Sequence, residues 1–352
     1  MMLRGGQMPK QPSILYLGDC NNSSTSRQRA EALRRLGCTV SLIDPVSLIG
    51  PRTHWLAFVD YRTGFRLVQS QLLRALKTDA SIATLTPDLI WINGGERIGA
   101  LALRWLQERF RCPVVLYNND DPTGWRDRAC FATLRSALPL YSLAVFCRAE
   151  TTLEALALGA RRVMRVWMSY DELHHTGQCS ITDSLLKMTV SFIGTHIPGE
   201  ARDQFLMTLA ESSLPLRVIG GRWARSGQYH GLKRYHAGPL VSGQHYAQAL
   251  QQSTISLGLL SHLNRDLVTQ RSFETTSCCG LLCAEKTSEH QLLYEDGREA
   301  VFWETVDECI DACRELLVDS QKNIEIRNDG QLRVLLGGYG NEDVCRQILR
   351  SI

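Results

Sequence analysis

Residues 264–285 read NRDLVTQRSFETTSCCGLLCAE, a loop followed by a short helix and a buried strand. Asp266, Arg271, Glu274 and Glu285 fall in a span that is otherwise largely apolar or small, so a charged site is implied rather than a solubilising surface. Asp266 and Glu274 stand eight positions apart, an acid-x7-acid spacing that puts one carboxylate in a loop and the next on the following helix. Two acids so placed can address different hydroxyls of one bound sugar nucleotide. Arg271 precedes Glu274 by one helical turn and shares its face, which sets a phosphate-pairing fork beside a ribose-binding carboxylate. A surface ion pair on an amphipathic helix is the alternative reading of that pair.

Upstream of this stretch the chain alternates strand and helix. A βα series begins at 189–194 (TVSFIG), runs through the loop THIPG to a helix near 200–209, and returns at 216–220 with the turn GGRW. Gly220 and Gly221 there let backbone N–H groups approach a phosphate, with Arg222 beside them. A helix near 244–251 leads to a strand at 255–259. Strands at 280–284 and 300–303 and a helix at 306–318 complete this half, and a last helix at 341–352 carries Asn341 as N-cap with Glu342 and Asp343 in its first turn.

The N-terminal half repeats the scheme. A strand at 14–18 (ILYLG) ends in the loop DCNNSST before a helix near 26–36, for which Thr25 and Gln28 fit a capping box and Gly37 a C′ residue. Strands follow at 39–44, 88–93, 113–117, 143–146 and 163–167. Phe65, Val68, Leu72, Leu73 and Leu76 recur at helical spacing, and further helices are expected near 97–110 and 149–158. The opening lacks GxGxxG, which argues against NAD or FAD. Strand-end loops are where open α/β sheets place ligand groups, so Glu96, Asn118, Asp120 and Asp121 are candidates for ligand binding or base work. Asn-Asp-Asp-Pro also makes a turn and caps a helix. The polar stretch 171–184, with His174 and His175, reads as a linker.

The segment RSFETTSCCGLLCAEKTSEHQLLYEDGREAVFW resembles the signature of the CgeB-like (spore maturation protein) group of GT-B glycosyltransferases. Arg271, Phe273, Glu274, Gly280, Glu285, His290, Gly297 and Glu299 fall on that group's R-x-F-E, G-x-x-L-x-E, E-H and G-x-E positions, and Asp171 and His175 echo its D-P-x-x-H element. Cys279 stands where the first of two glycines is expected. The resemblance is specific over residues 254–310 and collinear over most of the rest.

The resemblance implies an α/β chain of two Rossmann-like doubly wound domains facing a cleft, the GT-B fold, with boundaries at 14–170 and 187–338. A tail at 1–13, a linker at 171–186 and a C-terminal helix at 339–352 packed back on the first domain complete the expected organisation. The second domain would bind the nucleotide sugar through Gly194, Thr195, Gly220, Gly221, Arg222, Leu240, Arg271, Glu274, Gly280 and Glu285. The first would bind a glycan, lipid or protein acceptor through Asp19, Asn21, Ser24, Glu96, Asn118 and Asp121. Asp266, Arg271 and Asp120 are the candidate catalytic groups. The implied activity is sugar transfer from a nucleotide-diphosphate sugar to a hydroxyl, leaning to retention and without metal or cofactor, the nucleotide sugar being a co-substrate. A degenerate GT-B protein that binds without turnover and a GT-B sugar-nucleotide epimerase share the same donor signature.

Bulk properties narrow the field. At 352 residues the chain exceeds one ordinary core, so two domains are the prior. With 44% hydrophobic and 21% charged residues it reads as soluble and globular. A net charge of +3 without a Lys/Arg block argues against nucleic acid. Arg161, Arg162 and Arg165 cluster, and weak peripheral contact with anionic lipid is one reading of them, a solvated face the other. Twelve scattered cysteines without CxxC suggest reduced thiols in a cytoplasm, and Cys309 and Cys313, a helical turn apart without His partners, do not suggest zinc. Residues 1–13 lack an apolar h-region, so a frayed tail is expected rather than a signal peptide. No apolar run is long enough to span a bilayer, and a cytoplasmic protein, with contact at the inner membrane face at most, is expected.

Overall fold

The computed structural model describes residues 11–177 and 188–352. Most of the expected tail and the later part of the expected linker therefore lie outside the described residues. The chain forms two units, one comprising the chain up to Trp167 together with Asn341–Ile352, the other Met168–Gly340.

The first unit is a six-stranded parallel sheet in the order β2-β1-β3-β4-β5-β6: β1 Ser13–Leu17, β2 Thr39–Ile43, β3 Leu89–Asn93, β4 Val114–Asn118, β5 Leu143–Phe146 and β6 Val163–Arg165. Its strands are almost wholly apolar because helices cover both faces, as parallel sheets require. Tyr16, Trp91 and Tyr117 stack across β1, β3 and β4 at 6.2 Å centroid spacings. Arg29 is buried against them, donating to Asn93 and Tyr117 with its guanidinium 3.7 Å from the Tyr117 ring centroid. The helix after β1 is Thr25–Arg35, and its N-cap is Ser24, which accepts from Arg27 N–H at 3.1 Å. The N-cap thus falls one residue before the expected Thr25, and with Arg27 at N3 the cap is a single bond and not the expected capping box.

The second unit is a five-stranded parallel sheet in the order β11-β10-β9-β7-β8: β7 Val190–Ile193, β8 Leu216–Ile219, β9 Ile255–Gly258, β10 Leu282–Glu285 and β11 Val301–Trp303. Strand order in both units runs outward in opposite directions from the unit's first strand, so each has a switch point beside it, where open sheets bind ligands. Asp171 and His175, read from sequence as linker, are buried within this unit, and the described part of that stretch is packed structure. The helix Ser320–Leu336, which sequence patterning does not pick out, closes the unit over helix Gln270–Ser277.

Candidate functional site

In the second unit, the loops that follow β7 and β8 meet at glycines. A Cβ on Gly220 (φ +149°) would lie 2.0 Å from the Gly194 carbonyl oxygen, so only glycine permits the approach. Gly194 N–H donates to Ile219, His196 N–H to Gly221, and the Trp223 indole to the Gly194 carbonyl at 2.9 Å. Gly221 borders open space near Thr195, while Arg222 and Leu240 are exposed.

Charged groups collect at this end of the sheet. Arg202, at the start of helix Arg202–Glu211, donates to the Leu260 carbonyl at 2.8 and 3.2 Å. Burial and the neighbouring Arg271 push its pKa down to about 10. Glu200 accepts from the Ser261 hydroxyl at 2.7 Å and Leu263 N–H at 3.1 Å. Although burial opposes it, these bonds and the Arg202 charge hold its carboxyl below the usual range. Glu285, at the end of β10, accepts from Leu260 N–H at 2.9 Å and pairs with His262 at 2.7 Å. Burial disfavours the charged His262 ring, but the charges and hydrogen bonds of Glu285 and Glu200 together outweigh it and raise its pKa. Glu200, Arg202, His262, Glu285 and Trp303 line a cavity of about 190 Å³.

Arg271 lies on helix Gln270–Ser277, its guanidinium 5.5 Å from the Phe192 ring centroid and a terminal nitrogen 3.5 Å from where a Cβ on Gly194 would be. Its buried Nε has no hydrogen-bond partner among the described residues. Asp266 is buried in the preceding loop and its charge is felt at Arg202. Glu274 faces inward: its two oxygens accept from the Tyr246 hydroxyl at 2.7 Å and Gln270 at 2.8 Å, with His175 Nδ1 at 3.5 Å. These bonds occupy one lone pair on each oxygen and leave the other for a ligand.

Gly280 is packed against the Thr275 and Leu250 carbonyls, a Cβ there coming within 3.0 and 3.2 Å. Cys279 adopts φ +57°, a left-handed conformation, which is the physical reason that a glycine is expected at that position. His290 is fully buried, its ring bridging the Ser272 hydroxyl at 2.8 Å and the Glu285 carbonyl at 2.7 Å. Cys283 joins Cys309 and Cys313 to bring three buried thiols within 4.8 Å of one another. The pair in one helix gives no hint of the third.

The first unit's switch point holds a cavity of about 200 Å³ lined by Asp19, Ser24, Asp44, Asn93, Glu96 and Arg97, among others. Three of the expected acceptor residues are brought together here, and Glu96 pairs with Arg97. Asn21 instead caps Asp19, donating to its carboxylate at 2.7 and 2.9 Å. Asn118 ties β4 to the Gly94 carbonyl at 2.6 Å. Asp121 is buried and accepts from Gly124 N–H and the Thr151 hydroxyl, both at 3.0 Å. Asn118 and Asp121 thus serve the turn that Asn-Asp-Asp-Pro also allows. Asp120 between them is solvent-accessible, yet crowding by surrounding protein and the Glu96 carboxylate push its pKa up to about 6; with the side chain accessible, Glu96 is the firmer cause.

Sequence reasoning missed Glu200, Arg202 and His262. The signal was present, since Gly199-Glu200-Ala201-Arg202 follows a strand-end loop at the head of a helix.

Residues 202–350 match the family described as glycosyl transferase-like. None of the curated proteins matches the chain. Among solved structures, Anabaena HepE in complex with UDP-glucose is similar at 13% identity and TM-score 0.66, over 97% of this chain and all of that one. The sucrose-phosphate synthase of Thermosynechococcus elongatus is similar at 12% identity and TM-score 0.65, over 96% and 97%. A trehalose-6-phosphate synthase studied for glycosyl transfer with retention is similar at 12% identity and TM-score 0.61, over 96% and 99%. These likenesses show the GT-B fold, and the match to the glycosyl transferase-like family is confined to residues 202–350.

Proposed function

We propose that the protein is a GT-B glycosyltransferase of the CgeB-like group, moving a sugar from a nucleoside-diphosphate sugar to an acceptor hydroxyl. The observation that carries this reading is the Arg202–Arg271 pair beside the Gly194–Gly220 turn. Two guanidinium groups held close enough for one to depress the other's pKa, one with a buried Nε unpartnered, make a site for a dianionic diphosphate.

In the reaction the acceptor oxygen bonds to the anomeric carbon. The bond from that carbon to the diphosphate breaks with its electron pair on the departing oxygen, and the hydroxyl proton passes to a base. Arg271 and Arg202 stabilise the leaving charge, which is the basis for proposing a reaction without metal or resident cofactor. Glu274 receives the ribose through its remaining lone pairs, Asp266 orients the sugar, and Asp120, ionised above about pH 6, is the candidate base. Retention follows the acid-x7-acid spacing, and the similar trehalose-6-phosphate synthase bears the same description. The acceptor is a glycan, lipid or protein. No helix among the described residues is long and apolar enough to cross a membrane, and a cytoplasmic site of action, with at most peripheral contact at the inner face, is proposed.

The test is nucleotide release from UDP-glucose and related nucleotide sugars, with chelator present, with and without an acceptor panel. Acceptor-dependent release of the nucleoside diphosphate is expected. Free sugar formed without acceptor would identify an epimerase instead. A thermal shift with nucleotide but no turnover on any acceptor would identify a binding protein.

A further inference from the structure

The helix His54–Arg62 (HWLAFVDYR) breaks the usual pattern of a surface helix, which buries one apolar stripe. Only Asp60 is buried, while Trp55, Leu56, Phe58 and Tyr61 are 70%, 37%, 55% and 39% exposed. Polar tethers hold the helix instead: Arg52 forks onto Asp60 at 2.8 and 3.1 Å, and the Tyr61 hydroxyl bonds Asp127. Four large apolar side chains exposed within seven residues are unusual on a soluble surface. Between this helix and helix Pro45–Ile49 lies a cavity of about 680 Å³ whose apolar wall includes Val46, Ile49, Ala57, Phe65 and Val68. Small-molecule sites span roughly 300–1,000 Å³.

This cavity adjoins the polar one at the first unit's switch point, Val46 and Arg97 lining both. Arg97 marks the join, pairing with Glu96 on the polar side and lying 4.5 Å from the Phe65 ring centroid on the apolar side.

We propose that the acceptor is amphiphilic, its hydrocarbon chain occupying the cavity under helix His54–Arg62 and its hydroxyl-bearing head reaching Asp19, Ser24 and Glu96 in the adjoining polar cavity. The inference rests on the glycosyl-transfer reading. The shared wall argues for one occupant with a small polar end and a large apolar one, matching cavities of about 200 and 680 Å³. A peptide would set backbone N–H and C=O groups against Val46, Ile49, Phe65 and Val68 without partners, at a cost that a hydrocarbon chain does not incur.

The test compares n-octyl β-D-glucoside, kept below its micelle concentration, with methyl β-D-glucoside on the full chain. At least tenfold tighter binding of the octyl compound is expected, read by calorimetry and tryptophan emission. Ala57→Trp and Ser47→Trp, both at exposed positions on the cavity rim, should abolish that preference without shifting UDP affinity or the melting midpoint. Equal binding of the two glucosides, or octyl binding undiminished in both variants, would overturn the inference. Equal kcat/KM for the two as acceptors would likewise overturn it while leaving the transfer reading intact. An octyl preference in binding with no turnover of any nucleotide sugar would overturn the transfer reading instead.

Discussion

Arg271 and His290 both sit on the 271–303 signature segment but answer to different physics. Arg271 keeps a buried Nε without a partner, a cost that a folded protein sustains most readily where a ligand removes it. Lysine retains the charge and loses the bidentate fork, so Arg271→Lys should cut kcat at least tenfold with the melting midpoint within about 2 °C of wild type. Early melting with normal turnover per folded molecule would assign it a structural role. His290 is the converse case. Its Nδ1–H donates to the Glu285 carbonyl, so Nε2 must accept from Ser272 and the ring is neutral. Burial pushes its pKa down to about 4, against about 6.5 for an unfolded ring. Between those values the unfolded chain binds the extra proton, so stability rises with pH. The contribution is complete above about pH 6.5 and is lost as pH falls toward 4, at most about 3 kcal/mol. Urea midpoints at pH 5 and 7.5 should differ less in His290→Gln than in wild type; an unchanged difference would refute the assignment. Sequence alone marked His290 as a signature residue, but its role as a buried neutral bridge depends on a carbonyl five residues back and a hydroxyl eighteen back, which only the fold brings together.

Elements were legible to the extent that their burial is apolar. All eleven strands among the described residues stand within a few residues of where apolar runs place them, because parallel strands covered on both faces must be nearly continuous in apolar residues. The helix Ser320–Leu336 escaped because part of its buried face is polar: Asn323, Arg327 and Gln331, spaced by four, are all inside. Arg327 is 1% exposed and donates to the carbonyls of Gln251, Thr254 and Cys279 at 2.9–3.1 Å, and to that of Ser253. Asn323 holds its Nε at 2.7 Å. These carbonyls belong to the ends of helices Gly243–Gln252 and Gln270–Ser277 and the segments just beyond, whose terminal acceptors have no partner within their own helix. Arg327→Ala should therefore cost at least about 3 kcal/mol, because it leaves several buried carbonyls unsatisfied at roughly 1–3 kcal/mol each, with Arg327→Lys intermediate because one ammonium cannot reach every carbonyl. A loss below about 1 kcal/mol for the alanine variant, by urea unfolding, would show that water replaces the guanidinium.

At the scale of the chain, sequence order and structural membership part company at the C-terminus. The last helix, Asn341–Arg350, belongs to the first unit. It packs on helix Thr25–Arg35, where Arg35 pairs with Glu342 and Cys345 is buried beside Arg29, and Arg162 reaches the Ser351 carbonyl at 2.8 Å. Val344, Cys345 and Ile348 are buried there, and at roughly 1.5–3 kcal/mol per buried aliphatic side chain their loss exceeds what the surface ion pair contributes. It also uncovers the face of the sheet that holds Arg29 among Tyr16, Trp91 and Tyr117, exposing a buried cation and an aromatic stack to water together. Removing residues 341–352 should accordingly destabilise the unit that is most distant in sequence. Hydrogen exchange of the truncated chain should show lost protection in helix Thr25–Arg35 and strand β1, with β7 to β11 close to wild type. UDP affinity, which the proposed site places in the second unit, should be retained. Loss of protection concentrated in the second unit would refute this partition, and would mean that the last helix stabilises the segment that precedes it rather than the helix it covers.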